Sequence, residues 1–80
     1  MRVVPHYYFD YRDGDRETPD NEGVLLAGLD EARKEAIRAL DQRSRGKIPD
    51  GNRRDSRLAI REENGPVLMV VSLSLRVERK

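Results

Sequence analysis

The 80-residue chain contains no cysteine, so no disulfide and none of the thiolate-based zinc sets can brace it. Domains near this length bury roughly 60 to 65% of the surface that the unfolded chain exposes and commonly recruit such staples. Without them, a second subunit or a bound partner is the remaining device. Histidine occurs once, at His6, and Ser44, Ser56, Ser72 and Ser74 fall at a helix end, in a connector and along a solvent-facing strand. None sits in a strained elbow with a base beside it, which leaves nucleophilic catalysis almost without material. Glycine-rich phosphate cradles are missing as well. So are long hydrophobic runs. The longest, Val67 to Leu75, is broken by Ser72 and Ser74 and is about half the roughly 20 residues of a membrane-spanning helix. The opening Met1-Arg2-Val3-Val4-Pro5-His6-Tyr7 has a charge but no apolar stretch of secretory length. These absences point to a cytoplasmic, non-enzymatic protein that uses no cofactor, catalytic residue or metal site and makes no membrane contact.

What is abundant is charge. Asp, Glu, Lys and Arg make up 39% of the residues against 36% hydrophobic types, so apolar side chains suffice for one sheet face and one helix stripe. The core is expected to be thin and the chain to be one small domain over residues 1–80. Net charge is only +1, which gives no bulk attraction to nucleic acid or anionic lipid. The signs are nonetheless segregated: Met1 to Glu31 carries three basic and eight acidic residues, whereas Ala32 to Arg61 carries ten basic and four acidic. An acidic front half and a basic middle can pair within one fold or between subunits.

Periodicity predicts ββαββ, an α+β fold with a mainly antiparallel four-stranded sheet made of two hairpins and one helix packed on one face. In the second hairpin, Leu58 and Ile60 alternate with Ala59 and Arg61, Asn64-Gly65 suits a two-residue type I′ turn, and a β-rich stretch follows from Val67 to Val77. That turn sets Ile60 opposite Met69 and Leu58 opposite Val71, and it carries Leu73, Leu75 and Val77 onto the same face, with Ser72, Ser74 and Arg76 pointing away. Leu68, Val70 and Ala59 then form a small greasy patch on the polar side. In the first hairpin Tyr7, Phe9 and Tyr11 alternate with His6, Tyr8, Asp10 and Arg12, and Asp13-Gly14 offers a tight turn before Arg16-Glu17-Thr18. Pro19 ends that strand, and Asp20-Asn21-Glu22-Gly23 reads as a loop. A helix is expected from Leu29 to Ser44. Its start has Gly28 or Asp30 as cap with Asp30 and Glu31 in the first turn, its stripe is Leu29, Ala32, Ala36, Ile37 and Leu40, and Gly46 stops it. The connector through Pro49-Asp50-Gly51-Asn52 has a composition that predicts mobility.

The residues Tyr7-Tyr8-Phe9, Arg12-Asp13-Gly14-Asp15, Pro19-Asp20, Glu22-Gly23 and Leu29-Asp30-Glu31-Ala32-Arg33 with Ala36 resemble a family of short bacterial proteins of unknown function. Its members share an aromatic first strand, an acidic Asp-Gly turn, an Asp-x-Glu-Gly loop, an Ala-rich helix and a closing hairpin. The resemblance covers the first half of the chain and the hairpin logic of the second. It implies the same fold and a bacterial cytoplasmic setting, and brings no activity.

Two clusters invite chemistry. Asp10, Asp13, Asp15, Asp20 and Glu22 suggest acid–base work or a cation, yet after Asp13-Gly14-Asp15 neither the glycine nor the bidentate glutamate of a calcium loop falls at the required place. Turn formation explains most of these carboxylates. Arg43, Arg45, Lys47, Arg53, Arg54 and Arg57 crowd the helix end, the connector and the next strand, where a basic loop can contact phosphates without reading bases. No aromatic platform lies beside them, and basic residues at a helix C-terminus already complement its dipole. The favoured expectation is a protein-interaction domain that forms a homodimer or binds a protein partner. A weak, sequence-independent nucleic-acid accessory using the basic connector is the alternative.

Overall fold

In the computed structural model, which describes residues 4–44 and 53–80, the aromatic alternation near the start forms strand β1, His6–Asp13. Tyr7 and Tyr11 are buried with Phe9 packed beside them, while the period of two sends His6, Tyr8, Asp10 and Arg12 to the opposite face. Strand β2, Arg16–Thr18, returns antiparallel with Asp13 facing Arg16 and Tyr11 facing Thr18. The two-residue loop is therefore Gly14-Asp15 rather than Asp13-Gly14, with Gly14 at φ 60° supplying the left-handed position. A strand that the sequence did not reveal follows. Val24–Leu25, β3, pairs with Tyr7 and His6 on the same edge of β1 that β2 occupies further along. Two residues are too short to display a period, so the expected four-stranded sheet is a five-stranded one.

Helix α1 spans Leu29–Ser44, with Asp30 and Glu31 in its first turn and Arg43 in its last. Ala32 N–H donates to the Gly28 carbonyl at 3.1 Å, which makes Gly28 the capping position. The fully enclosed residues of its stripe are Ala32, Ala36 and Leu40; with two alanines at the contact, the helix lies close over the sheet, against β4 (Arg53–Glu62) and β5 (Val67–Arg76). Ile37 departs from the expected stripe and is 45% exposed. It sits one residue round from Ala36, on the flank that overhangs β5, and β5 is the last strand of the sheet, so none of the described elements stands beyond it to cover the side chain. Gly46 and residues 45–52 of the connector, where the helix stop and the mobile segment were expected, lie outside the described residues.

The sheet order is β2-β1-β4-β5, with β3 also on β1. Strands β1 and β4 run antiparallel over seven pairs, from Tyr7 facing Glu62 to Asp13 facing Ser56. Between β4 and β5 the expected register holds: Leu58 faces Val71 and Ile60 faces Met69. Near the turn it does not. Arg61 faces Val67, with a register shift between Ile60 and Arg61 that leaves Leu68 as the extra residue on β5. A type I′ turn needs positive φ at both central residues, but Asn64 alone has it, at 54°, and Gly65 N–H donates to the Glu62 carbonyl at 3.0 Å. The reversal thus centres on Glu63-Asn64, and Pro66, which has no N–H for the ladder, delays pairing until Val67.

Two merging clusters form the dry interior. Tyr7, Ala32, Ala36 and Ile60 make one, Tyr11, Leu40 and Leu58 the other, and Phe9 and Val71 pack against both. Leu73 and Leu75, expected on the buried side, are 42% and 46% exposed. Their ladder partners are Ser56 and Arg54, and among the described residues no element flanks β5 to enclose them. Val77 follows the end of the strand and is exposed. Ile60→Ala should cost about 2–5 kcal/mol, because it opens a cavity at a fully enclosed site. By contrast, Ile37→Ala should stay within about 0.5 kcal/mol. Urea unfolding at low protein concentration distinguishes the two.

Candidate functional site

Edge strands of native sheets are usually blunted by charge, proline, a bulge or brevity, because an open row of amide and carbonyl groups recruits other strands. The two sides of this sheet treat that problem differently. On the β1 side, β2 and β3 leave a gap between Thr18 and Val24, and a carboxylate fills it. Phe9 N–H donates to Asp20 Oδ2 at 3.0 Å, while the N–H groups of Glu22 and Gly23 donate to Asp20 Oδ1 at 3.0 and 3.1 Å. The Asp20 N–H in turn donates to Asp10 Oδ1 at 2.9 Å. Arg61 reaches across from β4, donating from Nε to Asp10 Oδ2 at 2.7 Å and from its terminal nitrogen to the Asp20 carbonyl at 3.2 Å. The loop 19–23 is thereby pinned along β1 and occupies its edge.

The same guanidinium covers Tyr8, with its carbon 4.7 Å from the ring centroid, and His6 stacks on that ring at 4.9 Å. Tyr8 is consequently buried on a face that carries no helix. His6 Nε2 also bonds the Glu22 carbonyl oxygen at 2.9 Å. A Cβ at Gly23 would lie 2.6 Å from His6 Nε2 and 2.9 Å from the Tyr7 carbonyl oxygen, and Gly23 has φ 69°. Only glycine fits there.

Burial opposes ionisation of Asp10, but the bonds from Arg61 and from the Asp20 amide outweigh it and hold the carboxyl below its ordinary value of 3.8. Burial likewise opposes ionisation of Asp20, and the amides of Phe9, Gly23 and Glu22 bring it below 3.8. Both carboxylates therefore spend their oxygens inside the fold. Among the described residues, no group of three or more His, Asp or Glu side chains gathers in a way that could hold a metal ion.

On the other side, β5 is open among the described residues. Its ten residues end the sheet, and from Val67 to Leu75 it carries no charge and no proline. Val67, Leu68, Val70, Leu73 and Leu75 are all exposed; of the greasy patch expected from Leu68, Val70 and Ala59, the first two are exposed and Ala59 is half-buried. Above it, Lys34, Ile37, Arg38 and Asp41 of α1 and Val71, Ser72 and Leu73 of β5 line a groove of about 450 Å³. A second hollow lies on the opposite flank of α1, between Glu35, Ala39 and Arg43 and the pinned loop, floored by Phe9 and Leu58.

The basic residues singled out from the sequence do not form one surface. Arg43 lies over the Tyr11 ring at 4.6 Å, and Arg54 makes a paired hydrogen bond with the Asp13 carboxylate on the helix face. Arg57 is exposed on the opposite face and stands across the ladder from Arg12. Arg45, Lys47 and the side chain of Arg53 lie outside the described residues. Sequence reading missed the bond between Arg61 and Asp10 altogether, since nothing in a linear pattern relates residues so far apart. The Asp20-x-Glu22-Gly23 spacing was the one available signal, because aspartate in a loop caps the amides two and three positions ahead.

The pinned loop makes stability sensitive to acid. With folded values below 3.8 at Asp10 and Asp20, their contribution is complete above the unfolded carboxylate range, about 4, and is lost as pH falls through the lower folded values. Asp20→Asn keeps one acceptor but turns an NH2 toward an amide donor, so it should cost about 1–3 kcal/mol at neutral pH and make the decline of the urea midpoint below pH ~4 shallower. Gly23→Ala should destabilise by a similar ~1–3 kcal/mol through backbone strain, read in the same titration.

Among the described residues no helix is long and apolar enough to cross a membrane. No curated protein and no solved structure matches the chain. Residues 6–74 match the domain of unknown function DUF6894, so the likeness legible in the first half extends through the basic connector into the last strand. With the match running from the first residue of β1 to within two residues of the end of β5, the chain belongs to the DUF6894 family.

Proposed function

We propose that this chain is a non-catalytic protein-interaction domain that docks a polypeptide strand along the outer edge of β5, acting in the bacterial cytoplasm. One observation carries the reading: a ten-residue edge strand that is uncharged from Val67 to Leu75, in a chain of which 39% of residues are charged. Such an edge gives affinity through main-chain hydrogen bonds and selectivity through alternate side chains. The contrast with the other edge strengthens it. There, two short strands, Asp20 and Glu17 occupy or charge the margin of β1, so the openness of β5 is local and not a general feature of the sheet. The cytoplasmic assignment is in keeping with a chain that contains no cysteine.

Nucleic-acid binding has less support, since Arg43 and Arg54 are engaged with Tyr11 and Asp13 and Arg57 lies on the other face. A photo-reactive amino acid in place of Ser72, exposed on β5, tests the docking reading with the purified protein and with cell lysate. Crosslinks to a polypeptide are expected from position 72, not from the same group in place of Glu17 on β2. Adding Val70→Lys, which places a charge on the edge without touching the core, should abolish them. Crosslinks that are absent, or that survive Val70→Lys unchanged, overturn the proposal.

A further inference from the structure

On the helix face β5 is apolar to either side of Val71, and the groove above it carries opposite charges at its two ends. Met69 and Leu73 flank Val71 on the helix face, and Val70 and Ser72 flank it on the other. An antiparallel copy of the strand placed with Val71 opposite Val71 would set Met69 against Leu73 on both sides of the centre, apolar against apolar on the helix face, and Val70 against Ser72 on the other. The helix carries charges that become complementary when a copy is reversed against it. Lys34 and Asp41 bracket the midpoint between Ile37 and Arg38, and all four line the same groove as Val71, Ser72 and Leu73. The middle of the helical segment thus stands over the stretch from Val71 to Leu73.

Resting on the edge-docking reading above, we infer that the strand received by β5 is the β5 of a second copy of this chain. A two-fold axis runs perpendicular to the sheet near Val71, and Lys34 of each protomer faces Asp41 of the other across the seam. A perpendicular axis keeps both helices on one face of the continuous sheet. Strands in a sheet stand about 4.8 Å apart, so a helix seated over both β4 and β5 lies about 5 Å from the seam. Its mate is then about 10 Å away, within the separation at which helices pack. Ile37, 45% exposed on the flank overhanging β5, enters that interface together with its symmetry mate. The arrangement is isologous, as in most dimers. The alternating charges give it a register: a slide of one helix past the other sets Lys34 against the partner's Arg38 instead of its Asp41.

Sedimentation equilibrium on the wild type, Lys34→Asp, Asp41→Lys and the double variant tests this. The wild type is expected to be dimeric at micromolar to submillimolar concentration. Each single change creates like charges at both symmetric contacts and should weaken association by on the order of tenfold. An equimolar mixture of the two single variants, and the double variant by itself, should recover most of that loss, because opposite charges again face one another. Both positions are exposed, and far-UV circular dichroism checks that the single variants remain folded. A monomeric wild type, or a mixture no tighter than its components, overturns the inference. If the wild type is monomeric while position 72 still crosslinks to another polypeptide in a Val70→Lys-sensitive way, the self-pairing falls and the edge-docking reading stands.

Discussion

The Asp20 carboxylate stands where a strand is missing, and the asymmetry of the sheet depends on it. Between the short partners β2 and β3, Phe9 would present an amide to an unpaired edge; Asp20 accepts that amide and, with its other oxygen, those of Glu22 and Gly23. One ionised side chain thereby satisfies three backbone donors and fixes the loop that leads into β3 and then into α1. Bonds to a charged acceptor are stronger than neutral ones and strengthen further when half-buried. The loop can therefore be built almost wholly from polar residues and still lie in one place. Asp10 and Arg61 extend the anchorage across β1 to β4.

That anchorage also decides how the helix-free face of the sheet is finished. Arg61 is held by Asp10 and the Asp20 carbonyl, and in this position it covers Tyr8, against which His6 stacks. An aromatic side chain is thus buried without a second layer of secondary structure, under groups that are themselves polar at their outer edge. A chain with so few apolar residues gains a second small packed region this way. The segregation of acidic and basic residues in the sequence has the same outcome at two places, Asp10 with Arg61 and Asp13 with Arg54. In each, a carboxylate of the acidic first strand meets an arginine of β4.

With one margin closed by the loop, the other has no cover among the described residues. The helix contributes alanines to its contact with β4 and β5, and small residues draw it down onto the sheet. It then lies over these two strands, with Tyr7 and Tyr11 of β1 packed against its inner flank, and leaves Ile37, Leu73 and Leu75 at the rim. The apolar residues of β5 are more than the intramolecular core consumes, and an open, uncharged edge is the arrangement that other proteins avoid unless something pairs with it.

The sequence by itself determined every element except β3, and half of the register. Aromatic alternation specified β1, the spacing of Ala32, Ala36 and Leu40 specified α1, and the match of Leu58 and Ile60 with Val71 and Met69 specified how β4 meets β5. These are local or nearly local periodicities, and burial of one face makes them unambiguous. Only the tertiary structure decided the rest. β3 exists because the pinned loop delivers Val24 and Leu25 to β1, not because a dipeptide has strand character. Near the second turn, Pro66 and the extra Leu68 overrode the Asn64-Gly65 signal. Ile37 matched the helical stripe and is exposed, since whether a flank is buried depends on which strand lies beneath it. The bond between Arg61 and Asp10 and the openness of β5 follow from strand order, which is set by the sum of many weak non-local contacts and leaves no trace in the spacing of residues along the chain.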